Sequence, residues 1–150
     1  QKGLDRIADH VGQGRSFDTW AHAARDMADS SRDIFPDFTL KDWIEFAKKV
    51  YRMNSSGRIK LDYDMKIAEP FDSKGGGSGA MWNALENMKD IPTLILRGEL
   101  SDLFSERVAA QMLEKLDKGE LVTIPRVGHA PTLEEPASLD AIHQLLHRID

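Results

Sequence analysis

The chain contains no cysteine, which excludes disulfides, thiolate zinc sites and a cysteine nucleophile. It contains no apolar run approaching the roughly 20 residues that span a bilayer. Its first residues, QKGLDRIADHV, do not form a basic-then-apolar signal segment. Positive charge is not in excess either: 20 Lys and Arg stand against 25 Asp and Glu, for a net charge of -5. The electrostatic footprint that nucleic acid or an anionic membrane surface requires is therefore missing. A soluble, cytoplasmic protein is expected, with no nucleic-acid or membrane partner. The chain also begins without methionine, as expected of a piece of a longer protein.

What is present suffices for a modest core, since 41% of the 150 residues are hydrophobic. The first half has helical periodicity. Phe17, Trp20, Ala24 and Met27 recur at helical spacing behind Ser16, which suits an N-cap. Behind Thr39, Leu40, Trp43, Ile44, Ala47, Val50 and Tyr51 share one face of a second helix. "MNSSGR" reads as a polar loop, and "LDYDMKIAEP" as room for a short helical turn. "FDSKGGGSGA" is the strongest break in the chain, with the composition of a flexible linker or long loop. A short helix over about 81–88 leads out of it.

The second half changes character. Thr93-Leu94-Ile95-Leu96 is a continuous apolar run between Pro92 and Gly98, as in a strand buried on both faces. Val108, Ala109, Met112, Leu113 and Leu116 predict a helix. Leu121-Val122-Thr123-Ile124 predicts a second buried strand. The last helix starts near Pro136 and buries Leu139, Ile142, Leu146 and Ile149. Two parallel strands leave two open edges and do not make a stable sheet. The missing strands are expected from an N-terminal part of the same protein or from another chain, and a homo-oligomer is a further option.

"ELVTIPRVGHAPTLEEP", Glu120 to Pro136, combines a short apolar strand, a tight turn carrying His129 and a proline-marked helix start. Together with "IPTLILRGELSD" it resembles the C-terminal portion of an α/β-hydrolase-fold enzyme. The resemblance covers about residues 91–149, and the first 70 residues look like that family's helical cap. The fold class implied is α/β: a helix-rich fragment of a doubly wound α/β-hydrolase sheet, with a cap segment and two parallel strands. The domains implied are a cap over 1–70, a Gly/Ser-rich linker or loop over 71–80, and a C-terminal core segment over 81–150.

The resemblance implies site residues one by one. His129 matches the catalytic base, whose imidazole pKa near working pH suits proton transfer to and from a nucleophile. Asp102 matches the acid that orients the histidine. A competing structural role for Asp102 is to cap the following helix. The family commonly places the acid three residues after the loop glycine, where Ser101 stands here, and Glu99 is a poorer alternative. The nucleophile of the G-x-S-x-G elbow is absent. "GGSGA" around Ser78 imitates the elbow but follows no apolar strand. The implied function is the cap and core part of a serine-type hydrolase acting on small, partly apolar esters or carbon–carbon-bonded ketones. The nucleophile lies outside the chain, so these residues alone are expected to be inactive. Two alternatives stay open: an aspartate nucleophile of the dehalogenase or epoxide hydrolase type, and a non-catalytic binding or assembly module.

Other constellations are weaker. His143 and His147 stand four apart, a spacing that suits metal, without an evident third ligand. Asp62 and Asp64 read as turn or cap residues. Glu134 and Glu135 suit the positive end of the last helix. No metal or organic cofactor is implied. The aromatic residues of the first half read as packing between cap helices, and Trp20, Phe38, Trp43 and Phe46 are the candidates for lining an apolar substrate pocket.

Overall fold

A computed structural model describes residues 14–64, 66 and 78–149. The chain divides into two compact units, over 1–74 and 75–150.

The first unit combines two helices with a small antiparallel sheet. Strand β1 (Ser16–Phe17) precedes helix α1 (Trp20–Ser31); helix α2 (Leu40–Val50) leads into strands β2 (Tyr51–Met53) and β3 (Ile59–Leu61). The strand order is β1-β3-β2, and Ile59 pairs with both Phe17 and Met53, which leaves it fully buried. Helix α1 is capped by Thr19, whose Oγ1 accepts from the His22 N–H at 3.2 Å. Helix α2 carries a reciprocal cap: the Thr39 N–H donates to Asp42 Oδ2 at 2.8 Å, and the Asp42 N–H donates back to Thr39 Oγ1 at 3.4 Å. The Thr39 hydrogen bonds hold the Asp42 carboxyl below its ordinary pKa. Ala23, Ala24 and Ala47 are fully buried, and their small side chains let α1 and α2 approach closely.

Two expectations for this unit are corrected. The cap of α1 is Thr19 rather than Ser16, and Phe17 lies in a strand. Tyr51 leaves the helix for extended backbone, at φ -110° and ψ 155°. The polar loop expected at "MNSSGR" is present, as the turn of a β-hairpin. Asn54 Oδ1 accepts from the Ser56 and Arg58 N–H groups at 3.0 and 2.9 Å, and Gly57 takes a φ of +76°. Strands of two or three residues are too short to show a period of their own, so helical periodicity ran over them. The turn sought in "LDYDMKIAEP" lies mostly outside the described residues.

The second unit holds helix α3 (Ser78–Glu86), strand β4 (Thr93–Gly98), helix α4 (Glu106–Leu113), strand β5 (Gly119–Ile124) and helix α5 (Pro136–Ile149). Helix α3 begins inside the stretch read as linker, residues 71–77 of which lie outside the described ones. Strands β4 and β5 pair in parallel, from Thr93 opposite Gly119 to Gly98 opposite Ile124. The α/β class with two parallel strands is therefore what the chain adopts. Its core is Ile95, Ala109, Leu116, Ile124, Val127 and Ala141. Leu94, Leu96, Leu121 and Val122 are only half-buried, because a sheet of two strands is flanked by neighbours on neither edge.

Candidate active site

Parallel pairing sends the chain out of β4 and β5 at the same end of the sheet, and the pairing continues into both loops. The Glu99 N–H donates to the Ile124 carbonyl and the Leu100 N–H to the Val127 carbonyl, each at 2.9 Å. The backbones are so close that a Cβ on Gly98 would meet the Gly128 carbonyl oxygen at 2.0 Å. Glycine at 98 is what allows the acid-bearing loop and the histidine loop to touch.

Asp102 is exposed in the first of these loops. The loop turns on itself: the Ser101 N–H donates to the Gly98 carbonyl at 3.1 Å, and Ser101 Oγ accepts from the Phe104 N–H at 2.9 Å. The serine standing at the family's usual acid spacing is thus engaged inside the turn. Nor does Asp102 cap the next helix, since Ser105 does so, its Oγ accepting from the Val108 N–H at 3.3 Å. Glu99, the poorer alternative for the acid, has a different task. Its Oε2 accepts from the Arg126 N–H at 2.7 Å, tying the two loops together where Arg126 adopts a φ of +57°.

His129 is exposed in the second loop, behind the buried Val127 and Gly128. Beyond it the chain is secured by Glu135. One carboxylate oxygen accepts from the Thr132 N–H at 2.7 Å and its hydroxyl at 2.9 Å; the other accepts from the fully buried Ser138 hydroxyl at 2.7 Å. Burial alone would raise the pKa of Glu135, but the hydrogen bonds from Ser138 and Thr132 outweigh it and hold the carboxyl below its ordinary value. Glu135 therefore organises the histidine loop rather than simply facing the helix dipole.

The structure thus brings the loops of Asp102 and His129 together. In the first unit it gathers Phe38, Trp43 and Phe46 with Phe35 into one aromatic cluster, with ring centroids 4.6–6.3 Å apart. Trp43 is buried there, Phe38 and Phe46 half-buried, and Trp20 stands apart at the start of α1. Ser78 is the first residue of α3. His143 and His147 are exposed on α5, and among the described residues no three His, Asp or Glu side chains group as metal ligands. None of the described helices is long and apolar enough to cross a membrane. Arg97, Thr132 and Ser138 are the supporting residues that sequence reasoning missed, and Glu99 was singled out there only as an alternative acid. The one visible signal was an arginine at the end of an apolar run.

No protein-family model matches the chain. It is 34% identical over 144 residues to a 3-hydroxybutyrate-oligomer hydrolase of Cupriavidus necator, a match covering 91% of this chain and 48% of that protein. The crystal structure of an α/β hydrolase from Novosphingobium aromaticivorans superposes with a TM-score of 0.89 at 49% identity, over 98% of this chain and 52% of that one. An E-2-(acetamidomethylene)succinate hydrolase shares the fold, with a TM-score of 0.71 at 20% identity over 97% of this chain and 52% of its own. The chain shares the α/β-hydrolase fold with these proteins, and the relatives it matches are hydrolases. It spans about half the length of the relatives it matches.

Proposed function

We propose that Asp102 and His129 are the acid and base of a hydrolytic triad whose nucleophile is supplied by sequence outside these 150 residues. The observation that carries this reading is the backbone contact between the two loops, sealed by the Leu100 to Val127 hydrogen bond at 2.9 Å. His129 takes the proton of the nucleophile as it attacks the substrate carbonyl, then returns it to the leaving group. Asp102 orients the ring and stabilises the imidazolium that forms in between. The substrate proposed is an ester of a short hydroxy acid, supported by the 34% identity to the oligomer hydrolase. Phe38 and Phe46, the half-buried rings of the aromatic cluster, are the proposed apolar contacts for it.

The test is hydrolysis of 3-hydroxybutyrate dimers and of p-nitrophenyl butyrate by the full-length protein, alongside labelling by a fluorophosphonate. Turnover and labelling that both vanish in His129→Ala are expected, with the 150-residue chain alone inactive. Turnover without labelling would replace the serine nucleophile by an aspartate. Full activity of His129→Ala would remove the assignment.

A further inference from the structure

Among the described residues Arg97 is the one charged side chain that is buried, at 5% exposure. It sits one residue before the end of β4 (Thr93–Gly98), directly after the apolar run. A guanidinium in such a place loses its hydration, and an apolar side chain of similar size would fit the strand without that cost. A charge kept there needs a use, and its contacts supply one. Nε donates to the Phe104 carbonyl at 2.8 Å and Nη2 donates to the Glu99 carbonyl at 3.2 Å. These two carbonyls bracket Asp102, so one planar group holds both ends of the loop that carries it. Nη1 makes no hydrogen bond, and the exposed Glu106 carboxylate lies 3.8 Å from it. The side chain therefore acts through its rigid fork of donors more than through a close ion pair.

We propose that Arg97 is the positioning residue of the acid-bearing loop, setting where the Asp102 carboxylate stands relative to His129. The inference rests on the reading of Asp102 and His129 as acid and base. A lysine preserves the charge but not the fork, so it is expected to hold one carbonyl and not both.

The experiment is a double-mutant cycle in the full-length protein, with kcat and KM measured on p-nitrophenyl butyrate for His129→Ala, Asp102→Ala, Arg97→Met, Arg97→Lys and the two Arg97 substitutions combined with Asp102→Ala. Arg97→Met is expected to lower kcat on the order of 100-fold, as a displaced catalytic group does, with KM changing less than about threefold. Arg97→Lys should recover part of that loss. Once Asp102 is alanine, neither Arg97 substitution should cost anything further, because its effect passes through that carboxylate. Arg97 losses that persist in full in the Asp102→Ala background would overturn the proposal, as would an unchanged kcat in Arg97→Met. Where thermal unfolding shows Arg97→Met to be misfolded, the lysine cycle decides by the same rule. An active His129→Ala overturns the acid–base reading and this inference together; an inactive one leaves the cycle to judge Arg97 alone.

Discussion

Gly98 and Gly128 lie so close that a single methyl group on the first would collide with the carbonyl oxygen of the second, 2.0 Å away. The neighbouring Val127 carbonyl would be at 2.4 Å. Both obstacles are backbone, so neither can turn aside as a side chain would. Gly98→Ala is expected to destabilise the second unit by about 1–3 kcal/mol, the usual cost of forcing atoms into a packed site. In the full-length protein it should also depress hydrolysis by parting the two loops. A melting temperature equal to that of the wild type would contradict the contact.

Glu99 is assigned a clasp, not a catalytic carboxylate, because its Oε2 accepts from the Arg126 N–H at 2.7 Å. Glu99→Gln keeps an acceptor there and should stay close to wild type in stability and in activity. Glu99→Ala removes it and should cost about 0.5–1.5 kcal/mol, an ordinary net hydrogen-bond contribution. Asp102→Asn, by contrast, should lose activity with its melting temperature unchanged. Comparing kcat for the three variants separates clasp from acid.

The Glu135 carboxyl has its folded-state pKa lowered, so the folded state binds its proton less readily than the unfolded state does. Its contribution to stability is present above the ordinary value of 4.5 and is lost as pH falls through the lower folded value. Unfolding monitored by circular dichroism from neutral pH downward should show wild type losing stability in that window. Glu135→Gln, which does not titrate, should lose less across the same range. Parallel curves would show that the Thr132 and Ser138 hydrogen bonds do not depend on the charge.

In the first unit, burial and the nearby Asp26 charge push the Tyr51 phenol up to about 12 from an ordinary 10.0. A raised pKa favours the protonated form in the folded state. The associated stability is therefore complete below pH 10.0 and declines as pH rises toward 12. Subtracting the absorbance titration of Tyr51→Phe from that of wild type should isolate a late-ionising phenol. That variant should also lose less stability than wild type above pH 10.0.

Trp43, 4% exposed, packs edge-on against Phe35, Phe38 and Phe46. Trp43→Ala should destabilise the first unit by about 3–5 kcal/mol. Phe38→Ala removes a half-buried ring and should raise KM for apolar esters in the full-length protein if that ring contacts substrate. An unchanged KM would leave Phe38 as packing alone.

Much of this was legible from residue pattern. The runs around Leu94–Leu96 and Leu121–Ile124 read as strands because few residues besides those of buried strands are apolar for so long between turn signals. Thr39 was recognisable as a cap because its hydroxyl matches an orphan amide. The strands at Phe17, Tyr51 and Ile59 were not legible. The pairing of Phe17 with Ile59 joins positions far apart in sequence, and each strand is too short to carry alternation. Ser16 was taken for a cap because residue type alone does not reveal which hydroxyl faces the helix end; Thr19 does.

Residue order, through its resemblance to the α/β-hydrolase fold, determined the class of the chain and singled out Asp102 and His129 as candidates, each placed after an apolar strand. Only the tertiary structure decided how those residues are supported. Parallel register brought two loops from the same sheet end into contact, assigned Glu99 to the Arg126 amide and the Ser101 hydroxyl to its own turn, and aimed the buried Arg97 at the carbonyls on either side of Asp102. Those partnerships depend on distances between backbone groups many residues apart, which a residue pattern does not encode until the strands have paired.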